Sequence, residues 1–377
     1  MTKTEPRSRP FTPADARNAA SRDELDELVF GGPIASRDTM DLGREQIAQT
    51  YAHHLQACLP FAQFVKRIAG PAPKISGDTL DRLPLLPIGA FKTSRLRSIG
   101  SAEERLSHTS SGTTGRKSTI VRDRDTMMRL VGSLERGIEL LGKNWFAHEV
   151  RVVHLGAPHE HAGDLWFAYI MSLVELIYDC DSTTDLSAAQ RHLEVAIDEA
   201  AHVLLVGPPF LVRDLAVRLL ETGERLNAEN LWVLTGGGWK DREDTMLDRD
   251  AFAELLHRSF GVSADRCRDA FNQVELNTVF VECDAHHKHV PPWVRVTVRD
   301  PRTLDCRDDG QLGLLAYMDA SATSYPALFI GDDLGLVDEQ LCQCGQPGQR
   351  VSVVRRVSTR HARGCAAELA DLIGETL

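Results

Sequence analysis

The first part of the chain places apolar residues at helical spacing. The stretch from Arg22 to Phe30 has this period, and so does the longer stretch from Arg44 to Ile68. The apolar positions of the longer stretch are Ile47, Tyr51, Leu55, Leu59 and Phe61. Residues three or four positions apart share one face of a helix, so this spacing predicts helices with apolar faces in the core.

Short apolar runs then alternate with longer helical stretches. The runs predict strands at Ser118–Arg122, Arg151–Leu155, His202–Val206 and Leu231–Leu234. The stretches among them predict helices at Asp125–Leu141, Gly163–Tyr178, Ala188–Ala201 and Phe210–Glu221. Alternation of strand and helix predicts a parallel, helix-covered sheet. Such sheets bind ligands beyond the carboxyl ends of their strands, where Gly156, Gly207 and Gly236 fall.

From Arg268 onward the pattern changes to short strands separated by turns. The predicted strands are Phe280–Glu282, Val294–Val298, Leu312–Tyr317 and Ala327–Ile330. They predict a smaller, largely antiparallel β portion beside the parallel sheet. The predicted fold class is therefore α/β, with an N-terminal arm and helical segment at residues 1–80, an α/β core at 81–265 and a β-rich portion at 266–377.

Composition and charge exclude several classes of protein. The chain has 377 residues, 42% hydrophobic and 26% charged, with a net charge of −11. An acidic chain without a basic stretch does not favour nucleic acid as a partner. No apolar run approaches the ~18 residues of a membrane span, and the N-terminus lacks a signal-peptide core, so a cytoplasmic location is expected. The eight irregularly spaced cysteines predict reduced thiols.

One glycine-rich stretch carries the first functional signal. Residues 110–118 read Ser-Ser-Gly-Thr-Thr-Gly-Arg-Lys-Ser, which combines flexible backbone, hydroxyl donors and a basic pair. These features predict a loop that holds phosphate, although an ordinary surface turn has a similar composition. The loop is not a Walker A motif, because Arg116 separates Gly115 from Lys117.

Together with four later stretches, this loop resembles the adenylate-forming superfamily. The stretches are Leu234–Lys240, Phe271–Glu275, Ser324–Leu334, and Arg355-Arg356 followed by Arg363-Gly364. Further segments resemble the acyl-protein synthetase of bacterial bioluminescence and its phenylacetate-CoA-ligase-like relatives, and the chain is also similar to small adenylating proteins of phenazine pathways. These segments are Leu83–Lys92, Glu282-Cys283, Arg299–Pro301, Ser324–Pro326, Cys342–Gly345 and Arg363–Cys365.

The resemblance implies the N-terminal domain of an adenylate-forming enzyme, with ATP and Mg²⁺ as cofactors. It implies that the superfamily's C-terminal domain and its catalytic lysine are missing, because no lysine follows Lys288. Lys117 would screen the phosphates and Glu275 would carry Mg²⁺. The implied nucleotide-binding residues are Ser110, Ser111, Gly112, Thr113, Thr114, Gly115, Gly236, Gly237, Gly238, Phe271, Asn272, Asp332 and Arg356.

Two groups of cysteines carry additional expectations. In the acyl-protein synthetases a cysteine near the C-terminus accepts the acyl group, which here implies Cys365; a buried structural thiol is the alternative. Cys283, His289, Cys342 and Cys344 match the ligand chemistry of a structural Zn²⁺ and resemble an arrangement in the phenylacetate-CoA-ligase-like relatives. His154, His159 and His161 lie near Gly156 at a predicted strand end and could line an acid pocket or form a surface cluster.

The expected function is ATP-dependent activation of a small-molecule carboxylic acid to an acyl-adenylate, followed by transfer to a thiol or an amine. An aromatic acid of the phenazine type is the favoured substrate. A fatty acid that forms an acyl-cysteine enzyme is the alternative. CoA, a carrier protein, or a reductase or acyltransferase partner would take the acyl group, and a homodimer is open. A non-catalytic nucleotide binder and an ATP-independent cysteine acyltransferase are the rival classes.

Overall fold

The protein is described by a computed structural model. The residues that it describes are 23–31, 37–70, 73–100, 106–110, 117–142, 145–239 and 245–356. Within these residues the chain forms two six-stranded sheets and a separate two-stranded hairpin. No helix in the described part of the chain is both long enough and apolar enough to cross a membrane.

Nine α-helices occur in this part of the chain. They are α1 (Glu24–Phe30), α2 (Arg37–Ala57), α3 (Leu59–Ala69), α4 (Ala90–Thr93), α5 (Arg124–Ile138), α6 (Trp166–Ser172), α7 (Leu186–Glu199), α8 (Pro209–Thr222) and α9 (Arg249–Phe260). Aspartates begin four of them by accepting a hydrogen bond from a backbone amide of the first turn, at Asp23, Asp123, Asp185 and Asp248. Such caps satisfy donors that have no partner within the helix.

Fourteen strands occur among the described residues. They are β1 (Leu86–Pro87), β2 (Leu106–Thr109), β3 (Thr119–Arg122), β4 (Val150–Leu155), β5 (Asp179–Thr183), β6 (His202–Gly207), β7 (Leu231–Gly236), β8 (Cys267–Phe271), β9 (Phe280–Val281), β10 (Lys288–His289), β11 (Val294–Arg299), β12 (Gly313–Asp319), β13 (Leu328–Asp338) and β14 (Arg350–Arg356). The predicted strands of both halves of the chain are among them.

The first sheet is the parallel, helix-covered sheet that the sequence predicts. Its strand order is β5-β4-β6-β7-β8-β9, and only the β8–β9 pair is antiparallel. Because β8 pairs with β7 from Val233 to Gly236, this sheet continues past residue 265, where the sequence analysis places a boundary. The carboxyl ends of β7 and β8 therefore lie side by side.

The second sheet is antiparallel in the order β10-β14-β13-β12-β11, with the short β1 added in parallel to β13. Helix α2 packs against β11, so the N-terminal helices lie against this sheet rather than apart from the core. β2 and β3 form the separate hairpin, and residues 110–118 connect them. The hairpin connection is thus the glycine-rich loop of the sequence.

Two apolar clusters form the core. The smaller one lies between one face of the parallel sheet and α7, α8 and α9, and includes Val153, Leu205, Leu215 and Phe260. The larger one fills the space among the other face of that sheet, the antiparallel sheet and the remaining helices, and includes Trp145, Trp293 and Tyr317. Burial on both faces explains why β6 and β7 are almost continuously apolar in sequence.

Candidate active site and metal centre

The glycine-rich loop is closed at its base by its first and last residues. The Ser110 amide donates to the Ser118 carbonyl over 3.1 Å, and the Ser118 amide donates to the Ser110 hydroxyl over 3.1 Å. Lys117 is exposed beside this base. The predicted phosphate-binding residues Ser111, Gly112, Thr113, Thr114 and Gly115 lie outside the described residues.

Glu275 is buried beside the base of this loop, with only 4% of its surface exposed. Burial raises the pKa of its carboxyl, while the Ser118 hydroxyl, Arg356 and Lys92 act in the opposite direction. A carboxylate is a hard oxygen donor of the kind that Mg²⁺ takes, so the chemistry of Glu275 fits this metal. The structure thus brings Glu275 to the loop from 157 residues further along the chain.

The predicted nucleotide-binding glycines follow β7 at the carboxyl edge of the parallel sheet. Gly236 ends β7, and Gly237 and Gly238 have positive φ angles of 77° and 65°. A Cβ at Gly237 would lie 1.8 Å from the Phe167 ring of α6, so the backbone approaches that side chain as closely as a glycine allows. Trp239, the next residue, packs edge-on against Phe252 at 5.7 Å.

Phe271 ends the neighbouring strand β8 and Asn272 follows it, and the side chains of both residues contact other residues of the chain. Phe271 stacks with Phe280 and Tyr317 at 6.3 Å. The Asn272 amide donates to the carbonyls of Leu276 and Thr278, and its oxygen accepts a hydrogen bond of 2.6 Å from Trp166. The Asn272 side chain therefore shapes the 272–277 loop that carries Glu275.

Asp332, Asp333 and Arg356 lie on the two long strands of the antiparallel sheet. Asp332 is half-buried, whereas Asp333 is buried and stands opposite Arg356 in the β13–β14 register. Arg356 is the last residue that the structure describes, so the predicted acyl acceptor Cys365 lies outside the described residues. Burial raises the pKa of both the Asp333 and the Glu275 carboxyls, and the charge of Arg356 opposes that rise in each.

The four predicted zinc ligands come together in space. The ligand atoms of Cys283, His289, Cys342 and Cys344 all lie within 4.8 Å of one another. The Cys283 and Cys342 sulfurs are 3.8 Å apart, and the Cys344 sulfur lies 3.3 Å from His289 Nε2. Burial lowers the pKa of His289 to about 4, so its imidazole is neutral at pH 7, as a metal ligand must be. Three thiols and one imidazole at this separation suit tetrahedral Zn²⁺.

The histidines at the end of β4 and just beyond it separate into buried and exposed residues. His154 is 1% exposed, and its Nδ1 lies 3.0 Å from the Ser182 hydroxyl, which also bonds Glu175. His159 Nδ1 lies 2.8 Å from the Ser172 hydroxyl. The side chain of His161 is 69% exposed. His154 and His159 thus belong to an internal polar network, and His161 belongs to the surface.

A comparison with protein families identifies the chain. The model of the acyl-protein synthetase family, LuxE, matches residues 11–373. The chain belongs to this family. It is 37% identical over 364 residues to the long-chain-fatty-acid–luciferin-component ligase of Vibrio harveyi, covering 94% of this chain and 95% of the relative. It is 40% identical over 306 residues to the ligase of the same description from Aliivibrio fischeri, covering 79% and 81%.

Solved structures share the α/β fold of this chain. A 2-hydroxyisobutyryl-CoA ligase in complex with 2-HIB-AMP has a TM-score of 0.64 at 14% identity, over 84% of this chain and 67% of the ligase. An open conformation of that ligase gives a TM-score of 0.61. The preference for an aromatic, phenazine-type acid receives no support, because the two relatives named above are described as ligases of long-chain fatty acids.

Two residues beside Glu275 in the candidate site carry no signal in the sequence. Arg122 at the end of β3 is fully buried, and Trp166 at the start of α6 packs over it at 3.9 Å. Both bond the 272–277 loop. Neither lies in a recognisable motif, since their partners are more than 100 residues away along the chain.

Proposed function

We propose that this chain activates a long-chain fatty acid with ATP and then transfers the acyl group to a thiol. The observation that carries the proposal is the buried Glu275 at the base of the glycine-rich loop, with Lys92 and Arg356 acting on it. The substrate class is taken from the two fatty-acid ligases that resemble most of the chain. ATP is the second substrate, and Mg²⁺ is the metal that this carboxylate suits.

The first step joins the acid to AMP. A carboxylate oxygen of the fatty acid attacks the α-phosphorus, a new phosphorus–oxygen bond forms, and the bond to the bridging oxygen breaks. Pyrophosphate leaves with the bonding electron pair. Lys117 at the end of the loop would stabilise the departing charge, Glu275 would hold the Mg²⁺ that neutralises it further, and the strand-end glycines would admit the adenylate.

The second step transfers the acyl group to sulfur. A thiolate attacks the acyl carbon, the carbon–sulfur bond forms, the carbon–oxygen bond to phosphate breaks and AMP leaves. The thiol proton passes to solvent before the attack. Cys365 is the proposed acceptor, and Arg360, His361 and Arg363 near it in sequence would lower the pKa of its thiol. A reductase or carrier thiol outside this chain would receive the acyl group next.

The decisive test of the first step is exchange of labelled pyrophosphate into ATP in the presence of an acid. A panel of long-chain fatty acids and aryl acids should give exchange with the fatty acids alone. E275Q should lower the exchange rate by about 10²-fold, and K117M by about tenfold, because each removes charge from the developing transition state. K66M, which replaces an exposed lysine of α3, is the matched control and should retain the wild-type rate.

Three results would contradict the proposal. Exchange with aryl acids alone would reassign the substrate. ATP binding without exchange for any acid would support a nucleotide binder. Acylation of the enzyme from a preformed thioester, without ATP and with no dependence on Mg²⁺, would support a simple acyltransferase.

The second step is tested by cysteine variants. C365S should lose covalent labelling by radioactive fatty acid, whereas C306S, which removes an exposed thiol, should keep it.

We also propose that Cys283, His289, Cys342 and Cys344 hold a structural Zn²⁺. The close approach of three sulfurs and one imidazole nitrogen supports this assignment. Elemental analysis of protein purified without added metal should give about one equivalent of zinc. Fewer than about 0.2 equivalents would remove the proposed zinc site.

A further inference from the structure

Arg122 is a fully buried arginine at the end of β3, four residues after Ser118. Its exposed fraction is 0%. Ser118, Ile120 and Arg122 occupy alternate positions, so their side chains share one face of the β2–β3 hairpin. Ser118 lies beside Glu275 from this face. The hairpin thus directs Arg122 toward the same loop that carries Glu275.

The guanidinium group of Arg122 bonds this loop on both sides of Glu275. Its Nη2 donates to the Val274 carbonyl over 2.6 Å, and its Nε donates to Asn277 Oδ1 over 3.0 Å. Nη2 also donates to the Tyr325 hydroxyl over 3.1 Å. The residue immediately before Glu275 and the residue two positions after it are therefore fixed to one rigid, planar group.

The remaining contacts of the loop make Asn277 a firm attachment point. Its backbone amide donates to the buried Asp319 carboxylate over 3.0 Å, and its side-chain amide donates to the Thr126 carbonyl over 2.9 Å. At the other end of the loop, the Trp166 indole donates to Asn272 over 2.6 Å. The same indole ring lies 3.9 Å from the Arg122 guanidinium carbon, so both anchors of the loop also contact each other.

The charge of Arg122 has no carboxylate partner within ion-pair distance among the described residues. All three of its acceptors are neutral oxygens, and its Nη1 has no hydrogen-bond partner in this part of the chain. A buried charge without compensation is costly, and a neutral donor would suffice to bond a carbonyl and an amide. Burial lowers the pKa of the Arg122 guanidinium, and Tyr325, Tyr169 and Glu275 oppose that fall; Glu275 is the one carboxylate among these three groups, so it is the anion toward which a guanidinium at this position can act.

We propose that Arg122 is the positioning residue of Glu275, because its guanidinium clamps the 272–277 loop on both sides of that carboxylate and holds it toward Ser118 at the base of the glycine-rich loop. The inference rests on the proposed function in one respect, because that function supplies the ligand: Glu275 would bind the metal ion of metal-bound ATP. The clamp itself is a property of the loop.

The test compares R122M and R122K with a matched control. Arg129 on α5 is also buried, at 4% exposure, and likewise makes three hydrogen bonds, to Asp26, Asp23 and Thr323. R129M therefore removes an equally buried guanidinium that does not contact the 272–277 loop. Circular dichroism in the near ultraviolet establishes that each variant is folded. If R122M does not fold, R122K carries the test, because one ammonium cannot replace the planar fork.

The first readout is binding of ATP with and without Mn²⁺, measured by calorimetry and by the electron paramagnetic resonance of bound Mn²⁺. R122M should weaken Mn²⁺-ATP binding by about tenfold, whereas ATP without metal should change by less than about twofold. R129M should change neither. The second readout is hydrogen exchange of a peptide that spans residues 272–277, which should be faster in R122M and unchanged in R129M.

Two further arms separate a clamp from general damage. Added guanidinium ion should restore part of the Mn²⁺-ATP affinity of R122A and none of that of E275Q. In the double variant R122M/E275Q, the loss should be no larger than in E275Q alone, since Arg122 acts through Glu275. A folded R122M that retains wild-type Mn²⁺-ATP affinity and loop exchange overturns the inference, as do additive losses in the double variant.

The outcome for Arg122 is distinguishable from the outcome for the proposed function. A wild-type protein without pyrophosphate exchange contradicts adenylation, while hydrogen exchange of the 272–277 loop still decides whether Arg122 clamps it. If the wild type exchanges pyrophosphate and E275Q loses Mn²⁺-ATP affinity while R122M does not, adenylation stands and the Arg122 inference fails.

Discussion

Asp333 and Arg356 stand directly opposite each other on β13 and β14, and the Arg356 guanidinium also acts on the buried Glu275. Burial raises the pKa of the Asp333 carboxyl, and Arg356 opposes that rise. One cation therefore serves two acids that come from different sheets and loops. The charge of Arg356, the last residue of β14, therefore links this strand electrostatically to Glu275, the proposed metal-binding carboxylate.

We expect R356A to slow fatty-acid-dependent pyrophosphate exchange by about tenfold, because it leaves two buried acids without their shared cation. Arg355 is the matched control, since it is exposed and its partner on β13 is Leu334 rather than an acid. R355A should keep at least half of the wild-type rate. Equal losses in the two variants would mean that Arg356 acts only through net charge.

The zinc proposal predicts a separation between cysteine variants. C283A should lose bound zinc and melt at a lower temperature, because it removes one of four converging ligands. C306S should retain zinc, since Cys306 is exposed and its sulfur bonds the Asp81 carbonyl at 3.2 Å. Zinc content by mass spectrometry and thermal unfolding measure both effects. Full zinc content in C283A would contradict the four-ligand site.

Stability should fall in mild acid because of His54. Its Nε2 lies 3.0 Å from the Ala322 carbonyl and its Nδ1 2.6 Å from the Ser98 hydroxyl, so the neutral ring donates to the first and accepts from the second. Burial lowers the pKa of His54 to about 3. The unfolded chain then binds a proton near pH 6.5 that the folded chain does not, and stability is lost as the pH falls below that value.

For His54 alone the loss between pH 8 and pH 5 amounts to about 2 kcal/mol of unfolding free energy. Urea titrations at several pH values should show this dependence in the wild type and a smaller one in H54Q. His53 is the adjacent, exposed histidine, and H53Q should keep the wild-type slope. An identical slope in H54Q and H53Q would show that other groups dominate acid sensitivity.

The turn after β7 predicts a contrast between two neighbouring glycines. Both have positive φ, but a Cβ at Gly237 would overlap the Phe167 ring, whereas a Cβ at Gly238 would meet nothing within 4 Å. G237A should therefore displace α6 from the strand end and reduce pyrophosphate exchange by about tenfold or more, while G238A introduces backbone strain alone. The double variant F167A/G237A should recover part of the rate, because the smaller side chain makes room.

The parallel core was predictable because its strands are buried on both faces. β4, β6 and β7 appear in the sequence as short apolar runs, and each predicted run lies within or overlaps its strand. β5 could not be predicted in this way, since Asp-Cys-Asp-Ser-Thr is a polar edge strand without a fully buried position. The helix observed within the predicted stretch Gly163–Tyr178 is shorter than predicted. It is α6, which ends at Ser172, and a 3₁₀ turn continues to Leu176.

The site was predictable only where residues form a local motif. Glu275 and the cysteines belong to short stretches that resemble family segments, and the ligand atoms of the four proposed zinc ligands lie within 4.8 Å of one another. Arg122 belongs to no such stretch. Its importance arises from partners 152 and 155 positions away, and a sequence without its fold cannot display those contacts.

β14 runs from the proposed zinc cluster to the proposed active site within one strand. Arg350 at its start pairs with the cluster residue His289, and Arg356 at its end acts on Glu275. Seven extended residues cover roughly 20 Å, with little freedom to stretch or bend. The strand therefore connects the proposed zinc cluster mechanically to Arg356, and if zinc occupies the cluster, its loss should displace Arg356 and slow the proposed adenylation.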